Sequence, residues 1–254
     1  MILFFMKKKE VVLDCFTYLP YVYDCAKINY ANKFMPTWWK NTPESNNNNP
    51  TIKHCTGLID FYKTGIVLPS WFEMDLTIAK LGHEKWCDWK ASNTDVDTGS
   101  SHSSDQFERF ANVDGNNIKL TSPWLFKTKE DINFTWTQPT WSMRQLVGNI
   151  TVLPATISFK YQHVTNVNLF VINREEAQQC RIKPLMPLAI LHPLTDKKVT
   201  IKNHLVSKEE WERHLGISKL ILKSNPKDWI SLYKTKKDLH NKIENINRCP
   251  INHA

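Results

Sequence analysis

The sequence predicts a mainly β protein: a β-sandwich or barrel of jelly-roll type with a C-terminal helical appendage. Three observations lead there. Short runs of alternating apolar and polar residues recur between residues 51 and 206, the pattern of strands covered on one face. Pro123, Pro139, Pro154, Pro184, Pro187 and Pro193 punctuate those runs, and many short strands with turn signals between them suggest a sandwich or barrel. Beyond about residue 206 the apolar period lengthens to that of a helix, and lysines fill the intervals.

In chain order, residues 8–16 read as a first strand. Residues 24–34 read as a short helix stopped before Met35-Pro36, because the residue before a proline disfavours helix. Residues 41–50, rich in Asn, Ser and Pro, read as a linker. The clearest strand runs from Trp71 to Ile78, with Phe72, Met74, Leu76 and Ile78 on one face and Glu73, Asp75 and Thr77 on the other. Residues 86–89 are its expected partner across a turn near Gly82. Residues 92–104 are polar and read as a long loop. Further strands are expected over 124–127, 132–137, 148–159, 167–172, 188–192 and 199–205. Phe72, Met74, Leu76, Ile78, Phe134 and Trp136 are the expected core.

Ser207-Lys208-Glu209-Glu210 forms a capping-box pattern, in which the Ser hydroxyl takes the N3 amide and Glu210 reaches back. Gly216 is expected to end that helix. Asn225-Pro226 offers a second start, with Pro at N1. From there Trp229, Leu232, Tyr233, Leu239, Ile243 and Ile246 recur at helical spacing, with lysines between them. The stripe is the candidate interaction surface. The organisation is therefore an N-terminal strand, helix and linker over 1–50, a β domain over 51–206 and a basic helical tail over 207–254.

Composition narrows the functional classes. The 254 residues are 41% hydrophobic and 23% charged, an ordinary globular balance. No run approaches the ~18 apolar residues of a membrane span, so no membrane partner is expected. Six cysteines without a CxxC pair read as reduced and mostly buried. The apolar start precedes Lys7-Lys8-Lys9, the reverse of a signal peptide. Residues 197–254 hold +7 of the +8 net charge. A basic tail suggests an acidic partner, either nucleic acid or a protein surface.

Signatures of chemistry are weak. His83-Glu84-Lys85-Trp86-Cys87 approaches a zinc motif but falls in a strand-like segment, where ligands four apart do not share a useful face. An iron site of two His and one carboxylate would need a close His and acid pair. His102 and Asp105 stand nearest, in the polar loop, and His54, His163 and His192 could converge only in space. There is no GxSxG motif and no clustered Gly loop. Asp60, Glu73, Asp75 and Asp88 read as solvent-facing strand residues. Trp38-Trp39-Lys40, Trp86 to Lys90 and Trp124 to Lys127 have the aromatic-plus-lysine character of single-stranded nucleic-acid binders, although Trp is more often a core residue. No catalytic, cofactor-binding or metal-ligating residue is assigned, and no cofactor is implied.

Five segments together carry a resemblance. They are Pro36 to Lys40, Thr51 to Asp60, Thr64 to Pro69, Ser122 to Thr128 and Ile182 to Leu188. In that order they resemble an uncharacterised protein family of marine tailed phages of the T4-like, cyanophage type, over about residues 30–205. The resemblance transfers no residue role. It implies a phage gene expressed in a bacterial host cytoplasm. The reading is therefore a non-enzymatic phage protein of the virion or its assembly, acting through contacts with other phage proteins or with itself. The alternatives are a jelly-roll enzyme for a small molecule, with or without a metal, and a single-stranded nucleic-acid binder using the basic tail.

Overall fold

Strand β1 (Val11–Thr17) buries every second residue, Val11, Leu13, Cys15 and Thr17, as a strand covered mainly on one face must. The computed structural model describes residues 10–81, 84–92, 99–101, 115–142, 150–172, 178–223 and 238. Pro20 opens α1 (Pro20–Cys25) at its first position, where the missing N–H costs nothing. The helix expected over 24–34 does not form. Asn29–Tyr30 is instead a short strand, β2, followed by a 3-10 turn at Ala31–Phe34. Tertiary bonds claim the backbone there. The Ile28 N–H donates to Asn203 Oδ1 at 3.2 Å, Asn203 Nδ2 donates to the Ile28 carbonyl at 3.0 Å, and the Ala31 N–H donates to the Gly65 carbonyl at 2.8 Å. Each group so used is lost to a helix ladder.

Helix α2 (Thr37–Asn41) follows Pro36. The expected linker contains a minimal hairpin, β3 (Ser45–Asn46) and β4 (Asn49–Pro50). Asn47 and Asn48 both take positive φ, 47° and 64°, the signature of a tight hairpin turn that Asn tolerates. Helix α3 (Thr56–Thr64) interrupts a region expected to be β. Its Leu58 and Tyr62, four apart, are buried. Strand β5 (Ile66–Pro69) is buried at every residue.

Strands β6 (Glu73–Leu81) and β7 (Glu84–Ser92) pair from Glu73↔Ser92 to Leu81↔Glu84, the hairpin expected from the alternation. Strand β8 (Gly99–Ser101) lies within the segment expected to be loop. Then come β9 (Gly115–Leu120), β10 (Leu125–Lys127) and β11 (Asn133–Thr137). The single strand expected over 148–159 is two, β12 (Ile150–Val152) and β13 (Ala155–Ser158). Pro154 divides them because it has no N–H for a ladder. The chain also changes sheet there, since β13 pairs with β11. The last elements are β14 (Val167–Ile172), β15 (Gln178–Ile182), β16 (Pro187–Pro193), β17 (Val199–Leu205) and α4 (Lys208–Lys223).

The fold is mainly β. One sheet, β10-β1-β17, is mixed: β1 runs parallel to β17 from Val11↔Val199 to Thr17↔Leu205 and antiparallel to β10. Residues 11–17 thus share a sheet with residues 199–205. The other sheets are antiparallel, ordered β13-β11-β16-β5-β2, β12-β14-β9-β8 and β15-β6-β7, beside the small β3-β4 hairpin. Among the described residues the strands do not close into a barrel. A large core gathers Leu13, Phe72, Met74, Leu76, Trp124, Phe126, Phe134 and Trp136. The expected core residues in that set are at most 2% exposed; the side chain of Ile78 lies outside the described residues. A smaller core of Ala31, Trp39, Leu58, Tyr62, Val67 and Ile190 lies between α2, α3 and strands β5 and β16.

Helix α4 begins as expected, with the Glu210 N–H donating to Ser207 Oγ at 3.2 Å. The acidic residue that answers is Glu209. Its own backbone N–H and the Ser207 hydroxyl hold its carboxyl below the ordinary range, while Glu210 lies 3.6 Å from Arg213. Gly216 does not end the helix, which continues to Lys223, because a single Gly weakens a helix by only about 1 kcal/mol. The indole N–H of Trp211 donates to the Pro123 carbonyl at 3.0 Å and fixes α4 on the β domain. The stripe Trp229, Leu232, Tyr233, Leu239, Ile243 and Ile246 lies outside the described residues. No described helix is long and apolar enough to cross a membrane.

Phe16 is stacked between two imidazoles, His204 at 4.9 Å and His214 of α4 at 4.7 Å between ring centroids. His163 meets His214 edge-on at 5.9 Å. Burial, and then the charges of Lys127 and Arg213, push the His214 pKa down, against a smaller opposing effect of Glu210. A lowered imidazole pKa means the unfolded chain binds more protons near pH 6 than the folded one. The contribution is whole above about pH 6.5 and is lost as pH falls through the folded pKa. The melting temperature is expected to drop between pH 7 and pH 5, and His214→Gln to flatten that slope. An equally steep slope in the variant would exclude His214 as its source.

Candidate functional site: an aromatic face around helix α2

Trp38 and Trp39 are neighbours on α2, so their side chains leave the helix about 100° apart. Trp39 points into the smaller core and is 8% exposed. Trp38 turns the other way. It meets Trp39 edge-on and Trp141 at a tilt, each with ring centroids 5.9 Å apart, and its indole N–H donates to the Trp141 carbonyl at 3.0 Å. Trp141 itself is 42% exposed.

Two grooves flank this helix. The first, about 390 Å³, is lined by Met35, Trp39, Ile59 and Tyr62, with Lys53, Lys63 and Glu44 at its edge. The second, about 360 Å³, is lined by Pro36, Trp38, Trp141 and Met186, with Ser142 and Lys183. The grooves are joined through their walls, since the Tyr62 hydroxyl and Ser142 Oγ lie 3.2 Å apart. Burial raises the Tyr62 pKa against the smaller effect of that bond, so the phenol stays neutral at pH 7. Glu44 bonds to Lys53 at 3.5 Å and faces His54 at 3.4 Å. Lys40, Lys63 and Lys183 are exposed and make no ion pair among the described residues.

Beside the second groove, Lys183-Pro184-Leu185-Met186 forms a tight turn closed by the Met186 N–H on the Lys183 carbonyl at 3.3 Å. Leu185 has φ 65°, at a turn position where Gly or Asn is usual. Left-handed backbone costs a non-glycine residue roughly 1–2 kcal/mol. Ser70 holds the turn in place: the Leu185 N–H donates to its carbonyl at 2.8 Å, and its own N–H donates to the Met186 carbonyl at 2.7 Å. The result is a leucine side chain 47% exposed, between Pro184 and the Met186 that lines the second groove. Leu185→Gly is expected to raise stability by roughly 0.5–1 kcal/mol, the relief of strain less the greater freedom of Gly when unfolded. A fall in the chemical-denaturation midpoint would show that the side chain contributes more than its backbone costs.

The residues singled out in the sequence scatter. His54 is exposed and bonded to the Glu44 carbonyl at 3.1 Å. His163 is buried against His214. His192 lies against Phe61 at 4.6 Å, its Nε2 without a partner and its pKa lowered by burial. Each has different neighbours. Among the described residues no group of three or more His, Cys, Asp or Glu side chains is placed to hold a metal. Glu73 and Asp75 pair with Arg181 across a strand, and Asp60 is exposed on α3. His83, His102 and Asp105 and the side chains of Cys87 and Asp88 lie outside the described residues. Cys15 and Cys180 are buried, whereas Cys25 and Cys55 are exposed.

Of the aromatic-plus-lysine segments, Trp38-Trp39-Lys40 belongs to this face. Trp124 is fully buried, which removes it as a stacking platform. The roles of Tyr62, Trp141, Ser142 and Leu185 were not readable from the sequence. Only the Pro184-Leu185 pair, a turn with no Gly where one is usual, gave a local signal. No protein-family model matches the chain, and no curated protein matches it.

Proposed function

We propose that this is a non-enzymatic phage protein, a component of the virion or of its assembly, which acts through protein–protein contacts on the face around α2. The observation that carries the reading is Leu185. A strained backbone held by two hydrogen bonds presents an apolar side chain to solvent, in the turn that supplies Lys183 and Met186 to the groove lined by the exposed Trp141. Backbone strain clusters at binding sites, and the Trp141 and Met186 that share the second groove are residue types enriched at interface centres. The phage context rests on the resemblance over residues 30–205. A jelly-roll-type stacking of the antiparallel sheets is part of the proposal, as is docking of the tail stripe on a neighbour.

Two measurements test it. Purified particles of a phage encoding the protein should contain it by mass spectrometry. Trp141→Ala combined with Leu185→Gly should fold but fail to incorporate. Absence from particles, or normal incorporation of the double variant, defeats the assembly role of this face. Truncation at about residue 206 tests the tail: a shortened protein that folds but no longer assembles supports docking, and unchanged assembly refutes it.

A further inference from the structure

We infer that the two grooves form one bipartite site for an extended protein segment carrying two apolar anchor side chains with carboxylates around them. The inference rests on the reading of this face as a protein contact and names the partner's chemistry. Three features carry it.

The first is shape. The grooves lie on either side of a single short helix, with Trp39 walling one and Trp38 the other. Volumes of about 390 and 360 Å³ suit one or two large side chains each. An extended chain, rising about 3.3 Å per residue, crosses the width of such a helix in a few residues and can seat an anchor on each side.

The second is lining. In the first groove Met35, Ile59 and Tyr62 offer apolar walls rather than open ring faces, and in the second Pro36 and Met186 flank the exposed ring of Trp141. Base stacking needs an accessible ring face. Trp39 and Tyr62 are only 8% and 2% exposed, so the first groove offers no ring to a base, and the exposed Trp141 does not by itself make the succession of platforms on which a single strand stacks.

The third is charge. Lys63 stands at the first groove, Lys183 at the second, and Lys40 on the helix between them, all exposed and outside any ion pair among the described residues. Among the described residues the one acid lining either groove, Glu44, already faces Lys53 and His54. Carboxylates beside the anchors would meet these lysines, giving orientation and a faster, salt-dependent association.

The probe is a fluorescein-labelled peptide of aspartates and glutamates with two phenylalanines four positions apart, a spacing that puts both on one face of an extended chain, followed by fluorescence anisotropy on the full chain. Saturable binding is expected, weakened by added salt. Replacing both phenylalanines with serine, or the acids with lysine, should abolish it. Trp141→Ala, Lys63→Glu and Lys183→Glu should each weaken it by about tenfold or more, 1.4 kcal/mol, with the melting temperature held as a check on folding. Absence of saturable binding, equal binding by the variants, or tighter binding of an oligothymidylate would overturn the inference. So would self-association that Trp141→Ala removes while the peptide fails to bind, since a second copy would then be the occupant. If the double variant of Trp141 and Leu185 fails to incorporate into particles yet no acidic peptide binds, the partner chemistry alone is wrong and the contact role stands.

Discussion

Trp124→Ala is expected to be among the most destabilising single substitutions in the protein. The side chain is fully buried in the larger core, and truncating a core Trp costs about 3–5 kcal/mol. Its indole N–H also donates to the Ala26 carbonyl at 3.1 Å. Losing that donor strands a buried acceptor and adds roughly 1 kcal/mol or more. Trp136 supplies the contrast. It is 2% exposed, yet its indole nitrogen has no partner. Trp136→Ala should also cost about 3–5 kcal/mol, but Trp136→Phe should cost less than Trp124→Phe, because it removes an unsatisfied donor rather than a satisfied one. Urea midpoints at an unchanged m-value measure both pairs. Equal costs for the two Phe variants would mean that the Trp124 bond contributes nothing net. Against a total stability of about 5–15 kcal/mol, Trp124→Ala leaves a substantial unfolded population.

Gly65→Ala should have the second large effect, and for a different reason. Its φ of −68° suits any residue, so the constraint is space. A Cβ there would stand 2.7 Å from the Phe61 carbonyl oxygen, 2.8 Å from Ile190 Cγ2 and 3.1 Å from Ala31 Cβ. A backbone carbonyl and the walls of a packed core cannot move as the end of a long side chain can. Overpacking of this kind costs about 1–3 kcal/mol, and here the relief must come from lifting α3 off β16. That movement would open the groove that Tyr62 and Ile59 line, so stability and binding should fall together. Gly57 and Gly216, both helical, have nothing within 4 Å of the same atom. Alanine at either should stabilise by roughly 0.5–1 kcal/mol. A destabilised Gly216→Ala would show a contact not present in this arrangement.

Where a segment's structure follows from its own side chains, the sequence was informative. The alternation from Phe72 to Leu76 specified a strand and its buried face, and the runs 167–172 and 199–205 match β14 and β17 residue for residue. Where distant groups decide, it was not. Asn203 and Gly65 take the hydrogen bonds that the expected helix over 24–34 required. Helix α3 carries a local signal, Leu58, Phe61 and Tyr62 at helical spacing before Gly65, which the surrounding strand pattern obscured. Strand β8 consists of Gly and Ser and pairs only because β9 is beside it. The aromatic face is of the same kind. Trp38 and Trp39 stand adjacent in sequence, but Tyr62, Trp141 and Met186 reach them only through the fold, and the left-handed Leu185 of the same turn has no signature beyond the proline before it.

The parallel pairing of β1 with β17 has a consequence during synthesis. The ribosome delivers residues 11–17 well before their longest neighbour in the sheet, residues 199–205. At about 5–20 residues per second the wait is on the order of 10–40 s. Throughout it the nascent chain carries a strand whose buried face includes Val11, Leu13 and Cys15, with both sheet edges unpaired until β10 is made and one thereafter. Such an edge can recruit the wrong strand, so β1 is the segment that a ribosome-associated chaperone would have most reason to hold, and its release would coincide with the emergence of β17.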